Sequence, residues 1–338
     1  AVKSCSLQRY EPCAGSAELV NLWNPMRYLT AKRIHPVTSP PIEDGILVLA
    51  EDGRILDIID PLKRPDDAGR LSGGGNLEKH DGVIVPGFIN AHCHLELSHL
   101  RGRIEPGGGL PDFLRQVVNI RPEDPQVREA AMDAADREMF EGGIVAVGDI
   151  SNTIDSIAVK RNSRLLYHTF VETFDLHPSQ ASARFETAKE LQRNFEEHGL
   201  RASLSPHAPY TCSPSLIRMI GDKASAEGSL LTIHNQECAE EQEMFLSGSG
   251  ALMDFLRATG RYDDWQPSGT SSLEVTIRQF HSDVRTMLVH DTFTSEDDIT
   301  IASAMNPLLH WCLCPKANLY IEGHQLSQET LRETTRVI

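Results

Sequence analysis

The chain has 338 residues, 40% of them hydrophobic and 24% charged, enough for a barrel-sized globular domain with a small companion. Its formal charge of −16 comes with no Lys/Arg-rich run, which argues against a nucleic-acid polymer as partner and favours a small-molecule substrate. Its seven cysteines are odd in number and scattered, so a disulfide framework is not expected and a reducing, cytoplasmic compartment is.

Residues 1–25 contain no apolar stretch of signal-peptide length and differ in composition from the rest of the chain. They are read as an extension of unassigned role. No run reaches the roughly 20 apolar residues of a membrane span, so no membrane partner is expected. Self-association into a homo-oligomer stays open.

Residues 26–85 read as a small β-rich domain. RYLTAKRIHPV precedes GILVLAEDGRILDII, whose Asp52-Gly53 centre is a hairpin signal. LSGGGNLEKHDG then reads as a loop. From residue 86 to 338 short apolar strands alternate with helical patterns, the mark of βα units and a parallel sheet. The expected strands are VIVPGFINA (83–91), IVAVGDI (144–150), LLYHTFVETF (165–174), ASLSPHAP (202–209), LLTIH (230–234), TMLVH (286–290) and LHWCLC (309–314). Three of the helices between them end at glycines, at Gly142-Gly143, Gly199 and Gly228. A last helix, SQETLRETTR, leads into Val337-Ile338, which read as the start of an eighth strand.

His92-Cys93-His94 closes the first barrel strand. Residues two apart on a strand share a face, so both imidazoles aim at the C-terminal mouth, where barrel active sites lie. Neutral imidazoles suit zinc, iron or nickel rather than magnesium. His207, His234 and His290 end three further strands, and Glu237 comes three residues after His234. A carboxylate there can carry protons to and from a reacting water. Singly, each histidine reads as structural; five at the ends of four strands make a site. Glu96 and His99 either touch substrate or cap a loop. Cys312-x-Cys314 lacks a second pair and reads as buried small side chains. Gly107-Gly108-Gly109 lacks the Lys-Ser/Thr of a phosphate loop.

Taken in order, VIVPGFINAHCHLELS, SPHAPYTCS, TIHNQE, LVHDTFT and CLCPKANLYI resemble the successive blocks of the amidohydrolase superfamily, in its deaminase and chlorohydrolase branch. The resemblance implies a TIM-type (β/α)8 barrel, α/β in class, with a small β-sandwich built largely from the N-terminal segment. It implies one divalent ion on His92, His94 and His234, zinc with Fe2+ as the alternative. It gives Glu237 the proton shuttle, His290 the water or substrate, and His207 a substrate contact; Glu96 stands as a second substrate candidate. The implied reaction is hydrolytic deamination of an amino-substituted purine- or pyrimidine-like ring. Chlorohydrolase or cyclic-amide hydrolysis on the same site is the alternative, and an inactive fragment is the alternative of another class. The family also carries an Asp at the end of its eighth strand. The present sequence stops at Arg336-Val337-Ile338, so no residue matches it, and the eighth strand is expected to be missing or incomplete. Asp149, near the end of the second strand, is the best-oriented substitute base. Asp291, next to His290, is expected to face the other way.

Overall fold

The computed structural model describes residues 26–121, 123–260, 262, 265–327, 330 and 337–338. The extension over 1–25, with Cys5 and Cys13, and most of the helix expected over 327–336 lie outside the described residues. The chain divides into two compact units, Ala1–Ile89 with Met139–Val145, and Asn90–Glu138 with Ala146–Ile338.

In the first unit β1 (Arg27–Ile34), β2 (Ile42–Glu43), β3 (Ile46–Leu49), β4 (Ile55–Ile59), α1 (Pro65–Gly73) and β5 (Leu77–Ile84) come in that order. The sheet order is β2-β1-β3-β4, with β5 parallel to β1. The β3–β4 hairpin turns where expected, with Gly53 at φ +85°. Alternation along ILVL buries both faces of β3. Ile46 and Val48 pack with Ile59 and Ala68, and Leu47 and Leu49 pack with Ile34.

The segment LSGGGNLEKHDG is not a loop: its first residues finish α1 and its last belong to β5. Pro65 in the first turn with Asp66 and Asp67 behind it is a helix start that the glycines downstream obscure. VIVPGFINA likewise is two strands, β5 and β6 (Phe88–Cys93), parted at Val85-Pro86-Gly87. Pro86 has no N–H for a ladder. A Cβ on Gly87 would lie 2.2 Å from Val145 Cγ1, so only glycine fits there.

The second unit runs through α2 (Gly109–Asn119), α3 (Pro125–Glu141), β7 (Ile144–Ser151), α4 (Ile157–Asn162), β8 (Leu166–Thr173), α5 (Ala181–Glu197), β9 (Arg201–Pro206) and α6 (Pro214–Glu227). It continues with β10 (Leu231–Asn235), α7 (Ala239–Ser247), α8 (Ala251–Ala258), α9 (Ser272–Ile277), β11 (Thr286–His290), α10 (Glu296–Met305), β12 (Leu309–Cys312) and α11 (Pro315–Ile321). Strands order as β6-β7-β8-β9 and β10-β11-β12. Neighbours run parallel through β7-β8-β9 and through β10-β11-β12, and the fold is α/β. His234 N donates to His207 O at 3.0 Å and links the two sets. Val337 pairs in parallel with Trp311, and Ile338 N donates to Trp311 O at 2.9 Å.

The helices pack their apolar stripes on these strands. Val171, Leu204, Leu231, Ile233, Leu288 and Trp311 meet Phe195, Leu216, Ile220, Ile277 and Ile299 in one buried cluster. The glycine stops hold: Gly228 closes α6 in the left-handed conformation, at φ +63°. At the other end Ser213 caps the same helix by accepting from Leu216 N. Among the described residues no helix is long and apolar enough to cross a membrane.

Candidate metal centre and active site

The strand ends bring the five histidines together. His92 is the next-to-last residue of β6, and His94 comes just before a 3-10 turn over Leu95–Leu100. The His92 ring lies 4.9 Å from those of both His94 and His234, and 5.8 Å from that of His290, centroid to centroid. His94 Nε2 and His234 Nε2 stand 3.1 Å apart. Nitrogens of His92, His234 and His290 also converge, all within 4.8 Å of one another.

His234 is oriented from behind. Its Nδ1 lies 2.8 Å from the backbone oxygen of His207, so Nδ1 carries the proton and Nε2 presents its lone pair. The His207 ring is 4.9 Å from that of His234, and its Nδ1 is 2.6 Å from Thr211 Oγ1. Burial pushes His92 and His234 well below the ordinary histidine range, and neighbouring imidazoles add to the effect. Burial likewise takes His94 to about 3 and His207 to about 4.

These features fit a divalent cation. Metal ligation needs neutral imidazole, and the site keeps these rings neutral. The Nδ1 of His92 is buried without a hydrogen-bond partner. His94 and His234 could hold an ion between their facing nitrogens, with His92 as the third donor. A set of nitrogen donors suits zinc or iron better than magnesium.

Beside the imidazoles lies a paired carboxylate and imidazole. Glu237 Oε1 is 3.4 Å from His290 Nε2, and Oε2 accepts from Tyr210 Oη at 3.2 Å. His290 Nδ1 meets Asn318 Oδ1 at 2.8 Å. Burial alone would lower His290, but Glu237, Cys314 and the Asn318 contact carry its pKa above the ordinary value. Both residues sit on bent strand ends, with φ +46° at Gln236 and +76° at His290. The ends are paired: Asn235 is in register with His290, Asp291 N donates to Asn235 O at 3.0 Å, and Phe293 N to Gln236 O at 3.1 Å. Glu241 fixes the turn by accepting from Gln236 N and Glu237 N, both at 3.0 Å.

Glu96 is placed differently. Its carboxylate accepts from Asn152 N at 3.0 Å and from Thr153 N and Oγ1, and burial raises its pKa to about 7. His99 Nδ1 turns back to Glu96 O at 3.0 Å, a local contact. Asp149 is not a spare base: its oxygens are taken by Leu95 N at 2.7 Å, Ser151 Oγ at 3.1 Å and Lys160 Nζ at 2.6 Å. Asp291 is buried, and Glu241 and Asp298 are among the charges that bear on it.

Three residues that touch the cluster are not singled out from the sequence. Glu172, at the end of β8, lies 3.5 Å from His234 Nδ1, and burial pushes it up to about 8. Its strand-end position is a usable signal, the one that marks the histidines. Tyr210 and Asn318 lie in the blocks SPHAPYTCS and CLCPKANLYI, but a tyrosine or asparagine in a loop carries no spacing signal of its own.

Residues 83–332 match the amidohydrolase family, and the chain belongs to it. An aminodeoxyfutalosine deaminase of Deinococcus radiodurans is 34% identical over 196 residues, 56% of this chain and 45% of that protein. Another, of a Nitratiruptor species, is 27% identical over 266 residues, covering 75% and 62%. The chain thus spans about half to two thirds of the length of these curated relatives. In structure, the Helicobacter pylori aminofutalosine deaminase in complex with methylthio-coformycin superposes with a TM-score of 0.76 at 24% identity, over 92% of this chain and 75% of that one. A zinc-bound adenosine deaminase from Xanthomonas campestris gives 0.60 at 17%, over 92% and 67%. At these identities the structures establish a shared fold.

Proposed function

We propose that this chain is a metal-dependent aminohydrolase that removes ammonia from an amino-substituted purine-like ring, with a nucleoside as the substrate class. The observation that carries the reading is Glu237, placed between His290 and Tyr210 and beside the cluster of neutral imidazoles. The deaminases among its relatives support it. In this reading His92, His94 and His234 hold one divalent ion, zinc in the first place and Fe2+ as the alternative. When bound, such an ion lowers the pKa of water and lends positive charge to the reacting face of the ring.

The chain's own residues move the protons. Glu237 takes one proton from the attacking water and passes it to the ring nitrogen, then takes the second from the added hydroxyl and passes it to the amine as the C–N bond breaks, so the ring gains a carbonyl oxygen and loses ammonia. His290, held in place by Asn318, donates to the oxygen as its charge develops. Tyr210 is pushed by burial well above the ordinary range, so it stays a donor and fixes the second Glu237 oxygen. His207 borders the substrate. Glu96 acts at the rim through the Asn152–Thr153 loop. The N-terminal sheet is proposed as the larger part of a β-sandwich domain over 26–85, and the protein is proposed to be cytoplasmic.

The test is metal content together with product analysis. We expect about one bound ion per chain and ammonia released from 6-aminopurine nucleosides. Chloride release from chlorinated rings or opening of cyclic amides, without ammonia, would replace the deaminase reading. Protein that binds no divalent ion would remove its metal centre.

A further inference from the structure

One buried ion pair has no part in the deamination chemistry. Lys160 on α4 and Asp149 near the end of β7 meet at 2.6 Å with both side chains fully buried. Lys160 Nζ also donates to Ser151 Oγ at 3.0 Å and Thr169 Oγ1 at 2.9 Å, so its three donors are used. The ammonium sits 4.8 Å from the centre of the Phe195 ring. A pair desolvated to this degree gains little net stability over apolar residues of the same volume. Stability therefore does not account for it.

Its position does. Asp149 Oδ1 accepts from the backbone N of Leu95 at 2.7 Å, and the Asp149 carboxylate also bears on the Cys93 thiol. Cys93 and Leu95 flank His94. Along β6 successive residues point to opposite sides, so Cys93 faces away from His92, and Asp149 holds the segment on that side and at the backbone N that follows His94. One residue earlier on β7, a Cβ on Gly148 would lie 2.4 Å from Ala91 O and 3.1 Å from Phe170 Cε2. β6 is thus seated on β7 without a methyl's space between them, at the residue preceding His92.

We infer that Asp149, its charge held by Lys160, is a positioning residue that clamps the His92-Cys93-His94 segment from behind and sets the metal-binding histidines in place. This inference rests on the proposed metal centre. Lys160 holds the carboxylate against Leu95 N, and Gly148 lets the strand come close enough to be held.

The test uses two double variants of equal charge. D149N/K160M removes both charges but keeps an oxygen to accept from Leu95 N; D149L/K160M removes the acceptor as well. Zinc affinity is measured by chelator competition and compared with the melting temperature of the metal-free proteins. We expect D149N/K160M to bind zinc within about threefold of wild type, and D149L/K160M to bind about 10–100-fold more weakly, the usual effect of losing a group behind a ligand. The two metal-free melting temperatures should agree within a few degrees. Wild-type affinity in D149L/K160M would overturn the clamp, whereas a wild-type protein without zinc affinity would overturn the metal centre instead. Hydrogen exchange on the wild-type protein decides the matter if the variants do not fold or the wild type binds no zinc. The Leu95 amide should be among the slowest to exchange; exchange as fast as in the exposed turn at Arg101-Gly102-Arg103 would sink the clamp.

Discussion

At the scale of single residues, Glu237 is the most exposed to test. Glu237→Gln keeps a similar shape and a hydrogen-bonding oxygen for Tyr210 but cannot accept the water's proton. Turnover should fall by about 10²–10⁴-fold while bound metal stays at the wild-type level. Loss of metal along with activity would make Glu237 structural. His94→Ala should behave in the opposite way and lose the metal itself, because His94 Nε2 is the closest partner of His234 Nε2, at 3.1 Å. Away from the cluster, His168 on β8 meets Ser203 Oγ at 2.9 Å, and burial lowers its pKa to about 4. The unfolded chain then binds more protons than the folded one below about pH 6.5, so this contribution is complete above 6.5 and is lost as pH falls toward 4. The loss should reach at most about 3 kcal/mol. Urea unfolding at pH 7 and pH 5 measures it, and His168→Gln should show a smaller difference between the two pH values. The five site histidines were legible because strand ends in a barrel point to one mouth. Lys160 was not: a lysine on a short helix reads as solvated, and only the tertiary fold buries it.

At the scale of elements, the long helices and the β7–β12 strands were legible from apolar runs and glycine stops. The failures share one cause. In VIVPGFINA the apolar run continues through Pro86-Gly87, although the ladder cannot, and in LSGGGNLEKHDG a glycine cluster hides a helix end and a strand start. Hydrophobicity reports burial, and pairing depends on N–H groups and room for Cβ atoms that composition does not show. Gly148 on β7 is such a position. Gly148→Ala places a methyl 2.4 Å from Ala91 O and must move β6 or β7 apart. We expect a loss of about 1–3 kcal/mol, read as a lower melting temperature, with weaker metal retention beside it. An unchanged melting temperature would mean that the β6–β7 seating is looser than the structure has it.

At the scale of the whole molecule, metal binding and folding are linked. The three ligand histidines come together only in the folded state, so free metal at about 100 times Kd should add about 2.7 kcal/mol. Chelation should lower the melting temperature, and readdition of zinc should restore it; a melting curve indifferent to both would show that the cluster holds no ion.

The pairing of the β10 and β11 ends has a consequence for how such a protein changes over time. Glu237 and His290 are spaced in part by backbone hydrogen bonds from Asp291 to Asn235 and from Phe293 to Gln236. The distance between the two side chains is therefore written partly into the main chain. A substitution that leaves these main-chain bonds intact leaves that spacing in place, whatever side chain it exchanges.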